Sequence, residues 1–525
     1  MGWKYSDVGS SAPKSWDIFI IVRLRAFSII FDIRRIGNAH GNGDGPMLLK
    51  EWEIWDTYAT YFLEPIKALD NAAINLVESG LFEGAFVSEG RFYWRHNSTV
   101  VSASINMSLG SSRSSMEFRI KPAAPEENYP REAMFQSIYL RFAEIKQFRQ
   151  GGQFPARYIR GHLGECVLTA DKYHYLVYPI VKIFETGVML VELRIGSPDA
   201  KMTVRDFVAE FVNLYKRDFG DVLVPPALRR AGQHAYALSD VRINPVLTRV
   251  GSFLLDRELR KYLKLNTEIR KSGDFDFELA HLWGELREHS NTEETHTETH
   301  QTAPFTISDL ATTIFSAVSV SLNGLRSGAS LLVRPNSVMT LGDAWLGRPH
   351  VHLVRFDEQA ATVKGNEVKF RKDFGEILSG IDIRGGRPEI EYMPANSRSF
   401  NDFGAYITKA ATLWVWTRRG LQEQKKWAVP NRGHLIYFNQ SICEVLEYGH
   451  MLHRRLFQLV ANRQSSEAAL TARDNLVHLR VTMNEVSGYG EITDMLIRGW
   501  NELGVKSLQE AIADMIDIRQ VEASM

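Results

Sequence analysis

Apolar residues recur along this chain with two periods, two and about 3.6, and each change of period marks a new element. Trp16, Ile18, Ile20, Val22, Leu24 and Ala26 alternate with other residues, predicting a half-buried strand. A Trp- and Leu-rich stretch from Met47 to Val77 predicts a helix that Pro65 bends or breaks. From Gly84 to Lys121 the chain carries short alternating runs such as Arg91-Phe92-Tyr93-Trp94, separated by Ser and Gly, and this predicts an antiparallel meander.

Further on, Tyr175 to Tyr178 and Val188 to Leu193 read as paired strands around a turn at Glu185-Thr186-Gly187. A helix follows, with Thr203 and Asp206 placed like a capping box. Its apolar stripe of Val204, Phe207, Val208, Phe211, Val212 and Tyr215 is expected to pack on that hairpin. Residues 305–325 predict a helix starting near Ser308 or Asp309. Leu331 to Tyr392 predicts strands with one intervening helix around Asp373 to Ser379. The rest is mostly helical. Ile442, Val445, Leu446, Leu452, Leu456 and Leu459 form one long seam, with Leu470, Leu476, Leu479, Met483 and Val486 as an antiparallel return. Two short amphipathic helices close the chain, one carrying Ile492, Leu496 and Leu503, the other Leu508, Ile512 and Ile516.

One tract breaks the pattern. Glu288 to Thr302 is a run of Thr, Glu and His with nothing to anchor a core, so a linker is expected there. The predicted organisation is a β-rich α+β domain over 1–287, a polar linker over 288–303, a mixed α/β domain over 304–434, and a helical hairpin with two short helices over 435–525. The predicted class is therefore α+β.

Composition narrows the function classes. The 525 residues hold 62 Lys plus Arg and 62 Asp plus Glu, so nucleic-acid or membrane-surface binding would need a local patch. Two cysteines, Cys166 and Cys443, rule out a disulfide framework and an all-Cys zinc site, and an intracellular, cytoplasmic location is the simplest expectation. The opening residues lack a secretory pattern, and Arg23 and Arg25 interrupt the most apolar stretch, so no membrane span is expected.

Candidate chemistry is sparse. Gly41, Gly43 and Gly45 lie between a predicted strand and helix, but the spacing is wrong for a dinucleotide loop and Asp44 would repel phosphate. Asp343 followed by Glu367-Val368-Lys369 on a predicted strand has the form of a metal-dependent nuclease core. Its two carboxylates would hold magnesium or manganese and Lys369 would orient water or stabilise charge. His350 and His352 share a strand face and with Asp343 or Asp357 could ligate a metal; the plainer expectation is two imidazoles on an exposed face. Arg418, Arg419, Lys425 and Lys426, interleaved with tryptophans, suggest a nucleic-acid patch. The seam through Ile442, Leu452, Leu456 and Leu459 is longer than one return helix covers and suggests self-association.

The order of elements after the linker, a mixed domain ending in the strand Ala411 to Trp416 and leading into long helices, resembles the cytoplasmic portion of CorA-type divalent cation transporters. It covers about 200 residues from Ser308 and rests on topology; the family's Gly-Met-Asn signature and both membrane helices are absent. The resemblance implies a homo-oligomer with divalent cations, magnesium first, bound as regulators between domains. The expected function is thus a non-catalytic regulatory or assembly protein, which the resemblance implies is the soluble part or a soluble relative of a CorA-like transporter, with a magnesium- or manganese-dependent nuclease and a non-catalytic nucleic-acid binder as alternatives.

Overall fold

The computed structural model describes residues 48–62, 64–109, 116–122, 130–148, 156–170, 173–197, 202–214, 217, 219, 221–225, 228, 276–277, 306–322, 345–356, 362–379, 394–397, 401, 403–417, 432–461, 474, 477 and 490–524. The predicted strand at Trp16, the glycine turn, the linker, the basic patch and most of the return helix lie outside these residues.

The strands are β1 (Leu48–Tyr61), β2 (Gly84–Val87), β3 (Arg91–His96), β4 (Thr99–Leu109), β5 (Met116–Pro122), β6 (Tyr158–His162), β7 (Cys166–Ala170), β8 (Tyr173–Phe184), β9 (Val188–Ser197), β10 (Met202–Thr203), β11 (Asp221–Val224), β12 (Asp276–Phe277), β13 (Trp345–Phe356), β14 (Phe403–Ile407) and β15 (Thr412–Trp416). The helices are α1 (Leu69–Glu78), α2 (Arg131–Gln147), α3 (Val204–Phe207, continuing as a π turn over Val208–Val212), α4 (Ile307–Leu322), α5 (Val363–Lys369), α6 (Arg371–Ser379), α7 (Arg432–Ala461), α8 (Gly490–Glu502) and α9 (Val505–Ser524).

The fold is α+β, β-rich in its N-terminal region and helical at its C-terminal end. The main sheet runs β14-β15-β13-β1-β9-β8-β6-β2-β3-β4-β5. Its pairs are antiparallel except β13 with β15. Strands from both sides of the polar tract therefore share one sheet. β1 pairs with β9 on one side and β13 on the other, so the sheet crosses the boundary expected between the 1–287 and 304–434 domains.

β1 corrects the helix expected over Met47 to Val77. Every residue from Trp52 to Phe62 is buried, because β1 is central and both its faces are covered. Such a strand loses the alternation that would reveal it, and only its Trp, Ile, Thr and Tyr content points to β structure. Trp52, Ile54 and Tyr58 join one core with α1, α3, α4 and α6; Trp55, Ala59 and Tyr61 join a second core with α2, α7, α8 and α9.

Other expectations hold. β2 to β5 form the meander. β8 and β9 form the hairpin, whose turn needs Gly187 at φ 91°. The Thr203 hydroxyl accepts the Asp206 amide at 3.2 Å, starting α3, and Phe207 meets Trp52 edge-on with ring centroids 4.8 Å apart. α4 begins where Thr306 and Asp309 cap each other, the Thr306 amide donating to Asp309 at 2.7 Å. α7 and α8 approach closely at Gly449, where an added Cβ would lie 2.4 Å from the Trp500 ring.

The seam of α7 is also accounted for. Ile442, Leu452, Leu456 and Leu459 are buried in the second core with Trp55, Phe184 and Trp414. The stripe expected to drive self-association is taken up by the chain's own sheet. No helix among the described residues is long and apolar enough to cross a membrane.

Candidate functional site

The densest concentration of ionisable groups lies inside, between the sheet and the helices α2 and α7. Alternation puts Tyr158, Arg160 and His162 of β6, Lys182 of β8, Glu192 of β9, and Arg348, His350 and His352 of β13 on the sheet face that carries the second core. Gln440, Glu444 and Glu447 recur at helical spacing on α7 and meet them; Arg141 and Glu144 arrive from α2.

Two carboxylates organise one end. Arg160 grips Glu444 with both terminal guanidinium nitrogens, at 2.7 and 2.8 Å, and reaches Glu144 at 3.2 Å. Lys182 donates to the same two residues, at 2.6 Å to Glu444 and 2.7 Å to Glu144. Tyr158 and Arg141 also donate to Glu144. Arg160, Lys182 and Glu444 are fully buried. Burial alone would raise the Glu144 carboxyl, but Lys182, Arg160 and Arg141 outweigh it and hold it at about 2.

The other end is thinner. Gln440 donates to Glu192 at 2.7 Å, and its amide oxygen faces His352 at 3.3 Å. Arg348 donates to Glu447 at 2.9 Å and to Thr412 at 2.5 Å. Glu192 Oε2, Glu447 Oε2 and both ring nitrogens of His350 are buried without a hydrogen bond, although His350 Nε2 lies 3.6 Å from Glu447. Burial, reinforced by Glu444, pushes the Glu192 carboxyl well up; burial, reinforced by Arg348 and His352, pushes His350 well down. At the β6 edge His162 faces the Ser137 hydroxyl at 2.8 Å and is held down to about 3 by burial, then Arg160 and Arg194.

The candidates expected from sequence fall elsewhere. Glu367 and Lys369 are on α5, not on a strand, and two positions apart on a helix point to roughly opposite sides. Glu367 accepts the Tyr406 hydroxyl at 3.1 Å, and the Lys369 ammonium sits 4.8 Å from the Phe370 ring centroid. Asp343, their expected partner, lies outside the described residues, as do Arg418, Arg419, Lys425 and Lys426. His350 and His352 do share a strand face, but it is a buried one, because α7 covers it. No cluster of three or more His, Cys, Asp or Glu suited to a metal occurs among the described residues.

Sequence reasoning missed the buried cluster. Its signal was present as single charges inside otherwise apolar runs: Arg160 after Tyr158-Ile159, Lys182 within Ile180 to Phe184, Glu192 within Val188 to Leu193, and Glu444 and Glu447 in the seam of α7. Comparison with protein-family models, curated proteins and solved structures gave no match.

Proposed function

We propose that this chain is a non-catalytic regulatory or assembly protein, and that its buried ionic cluster is an internal fastening, not a reaction centre. Glu444 carries this proposal. It draws a cation from each of two N-terminal strands, Arg160 and Lys182, onto a C-terminal helix, and all three side chains have no exposure to solvent. A general base or nucleophile must come within hydrogen-bond reach of its substrate. Groups that are sealed and committed to one another work instead as geometry: they fix α7 against the sheet in one register, since any slip would strand a buried charge.

The nuclease alternative has lost its strand geometry, and no match supports the CorA-like relationship. One pair of measurements tests the proposal. Incubation with plasmid and single-stranded DNA, with magnesium or manganese, should give no cleavage; cleavage lost in Glu367→Ala would overturn the proposal in favour of a nuclease. Light scattering after size exclusion should show the same mass with and without magnesium. A pentamer tightened by magnesium would favour the transporter-like alternative instead.

A further inference from the structure

The most unusual group under α7 is Glu192. It is fully buried, one oxygen takes the Gln440 amide at 2.7 Å, and the other accepts no hydrogen bond. Across the sheet its neighbours are Ile180 and Thr57, which are not charged. The acid that acts on it comes from a helix, Glu444 of α7, and its charge favours the neutral carboxyl. The cations on this side of the sheet hydrogen-bond other acids, Arg160 and Lys182 with Glu144 and Glu444, Arg348 with Glu447, and Arg194 with Glu53 at 2.8 Å. The charges of Arg160 and Lys182 still pull the Glu192 carboxyl down, but less than burial and Glu444 push it up. The imidazoles of His162, His350 and His352 share the face, and the Cys443 thiol, pushed up by burial, sits on the helix directly between Gln440 and Glu447.

We propose that Glu192 is a proton-held lock for α7: the helix stays seated while the Glu192 carboxyl is protonated, and the segment around Gln440 to Glu447 opens locally when that carboxyl ionises. A neutral carboxyl is tolerated in this dry setting with its single hydrogen bond. An ionised one leaves an oxygen with neither water nor a donor beside the Glu444 carboxylate, and a buried charge so placed is costly. Opening the helix readmits water to the anion. Ionisation on opening ties the open fraction to proton concentration, so it grows by up to about tenfold per pH unit.

The two cysteines read this out. Cys443 is on the sheet-facing side of α7, with the Trp414 indole nitrogen 3.4 Å from its sulfur, while Cys166 lies in the core on the opposite sheet face. Modification by a thiol reagent, followed by mass spectrometry from about pH 6 to about pH 10 and corrected for thiolate fraction, should show Cys443 gaining reactivity with pH while Cys166 stays protected. Glu192→Gln, which keeps the shape and cannot ionise, should remove that slope. Gln440→Leu, which takes away the hydrogen-bond donor to Glu192 while leaving the Arg160 and Lys182 charges, should move the onset to higher pH and serves if the first variant does not fold. The proposal is overturned if Cys443 stays protected throughout or if both cysteines open together. A slope that survives Glu192→Gln, or an onset unmoved by Gln440→Leu, overturns it equally.

Discussion

Lys182 and Glu444 lie 2.6 Å apart in the folded chain although 262 positions separate them in sequence. Neither is exposed, and each keeps one other ionic partner, Glu144 for Lys182 and Arg160 for Glu444. The contact joins β8 of the hairpin to α7, beside a second contact of the same kind from Arg160. Folding of the N-terminal strands and docking of the C-terminal helix are thereby made interdependent.

Removing the shared acceptor should be severe. Glu444→Ala leaves Arg160 and Lys182 competing for Glu144 alone and is expected to cost about 3 to 5 kcal/mol in denaturant unfolding, the range for breaking a buried pair. A loss below about 1 kcal/mol, the range for an exposed pair, would show that water reaches the cluster.

Asp56 sets the alkaline limit. It is buried on the face of β1 shared by Ile54 and Tyr58, its Oδ2 accepts no hydrogen bond, and burial raises its carboxyl from 3.8 to about 8. The folded state then keeps a proton that the unfolded state has already lost, so stability falls as pH rises through that window. Asp56→Asn should match the native chain near pH 4 and exceed it near pH 8 by an amount of the order of 5 kcal/mol. Thermal midpoints across that range check this; a gap that does not widen with pH contradicts it.

His162 acts at the acid side. Its imidazole is lowered from 6.5 to about 3, so the unfolded state binds the proton first and stability is lost as pH falls across that interval. Glu144, held at about 2 instead of 4.5, adds a loss at lower pH. His162→Gln, which can still hydrogen-bond Ser137, should flatten the first fall and leave the second. An unchanged acid profile would mean that His162 is protonated in the folded protein.

Leu452 separates an internal seam from an external one. It is buried to zero exposure in the core beneath α7. Leu452→Glu should therefore unfold the chain, seen as lost helix signal in circular dichroism, because an unpaired charge cannot stay there. A folded variant of lower mass would instead mean that the seam joins subunits.

Much of the fold could be read from local signals. The Thr203–Asp206 cap, the turn at Gly187 and the spacing of α4 are decided by residues near one another in sequence, and each came out as expected. β1 did not, because a strand covered on both faces has no polar side to set its period. Glu367 and Lys369 failed for a related reason: a short charged stretch carries no periodicity, and the helix start at Val363, buried with Phe374 and Tyr406, decides it. The ionic cluster was invisible for a third reason. Its members come from α2, β6, β8, β9, β13 and α7, and only the sheet order brings them together.

The central claim is that this cluster binds the two ends of the chain into one folding unit. A double-mutant cycle with Lys182→Met and Glu444→Leu, read by denaturant unfolding at about pH 6, below the opening proposed for Glu192, measures it most directly. A coupling energy of about 2 kcal/mol or more, with one transition by every probe, is the predicted result. Coupling within about 0.5 kcal/mol, or separate transitions for the strands and for α7, would contradict it.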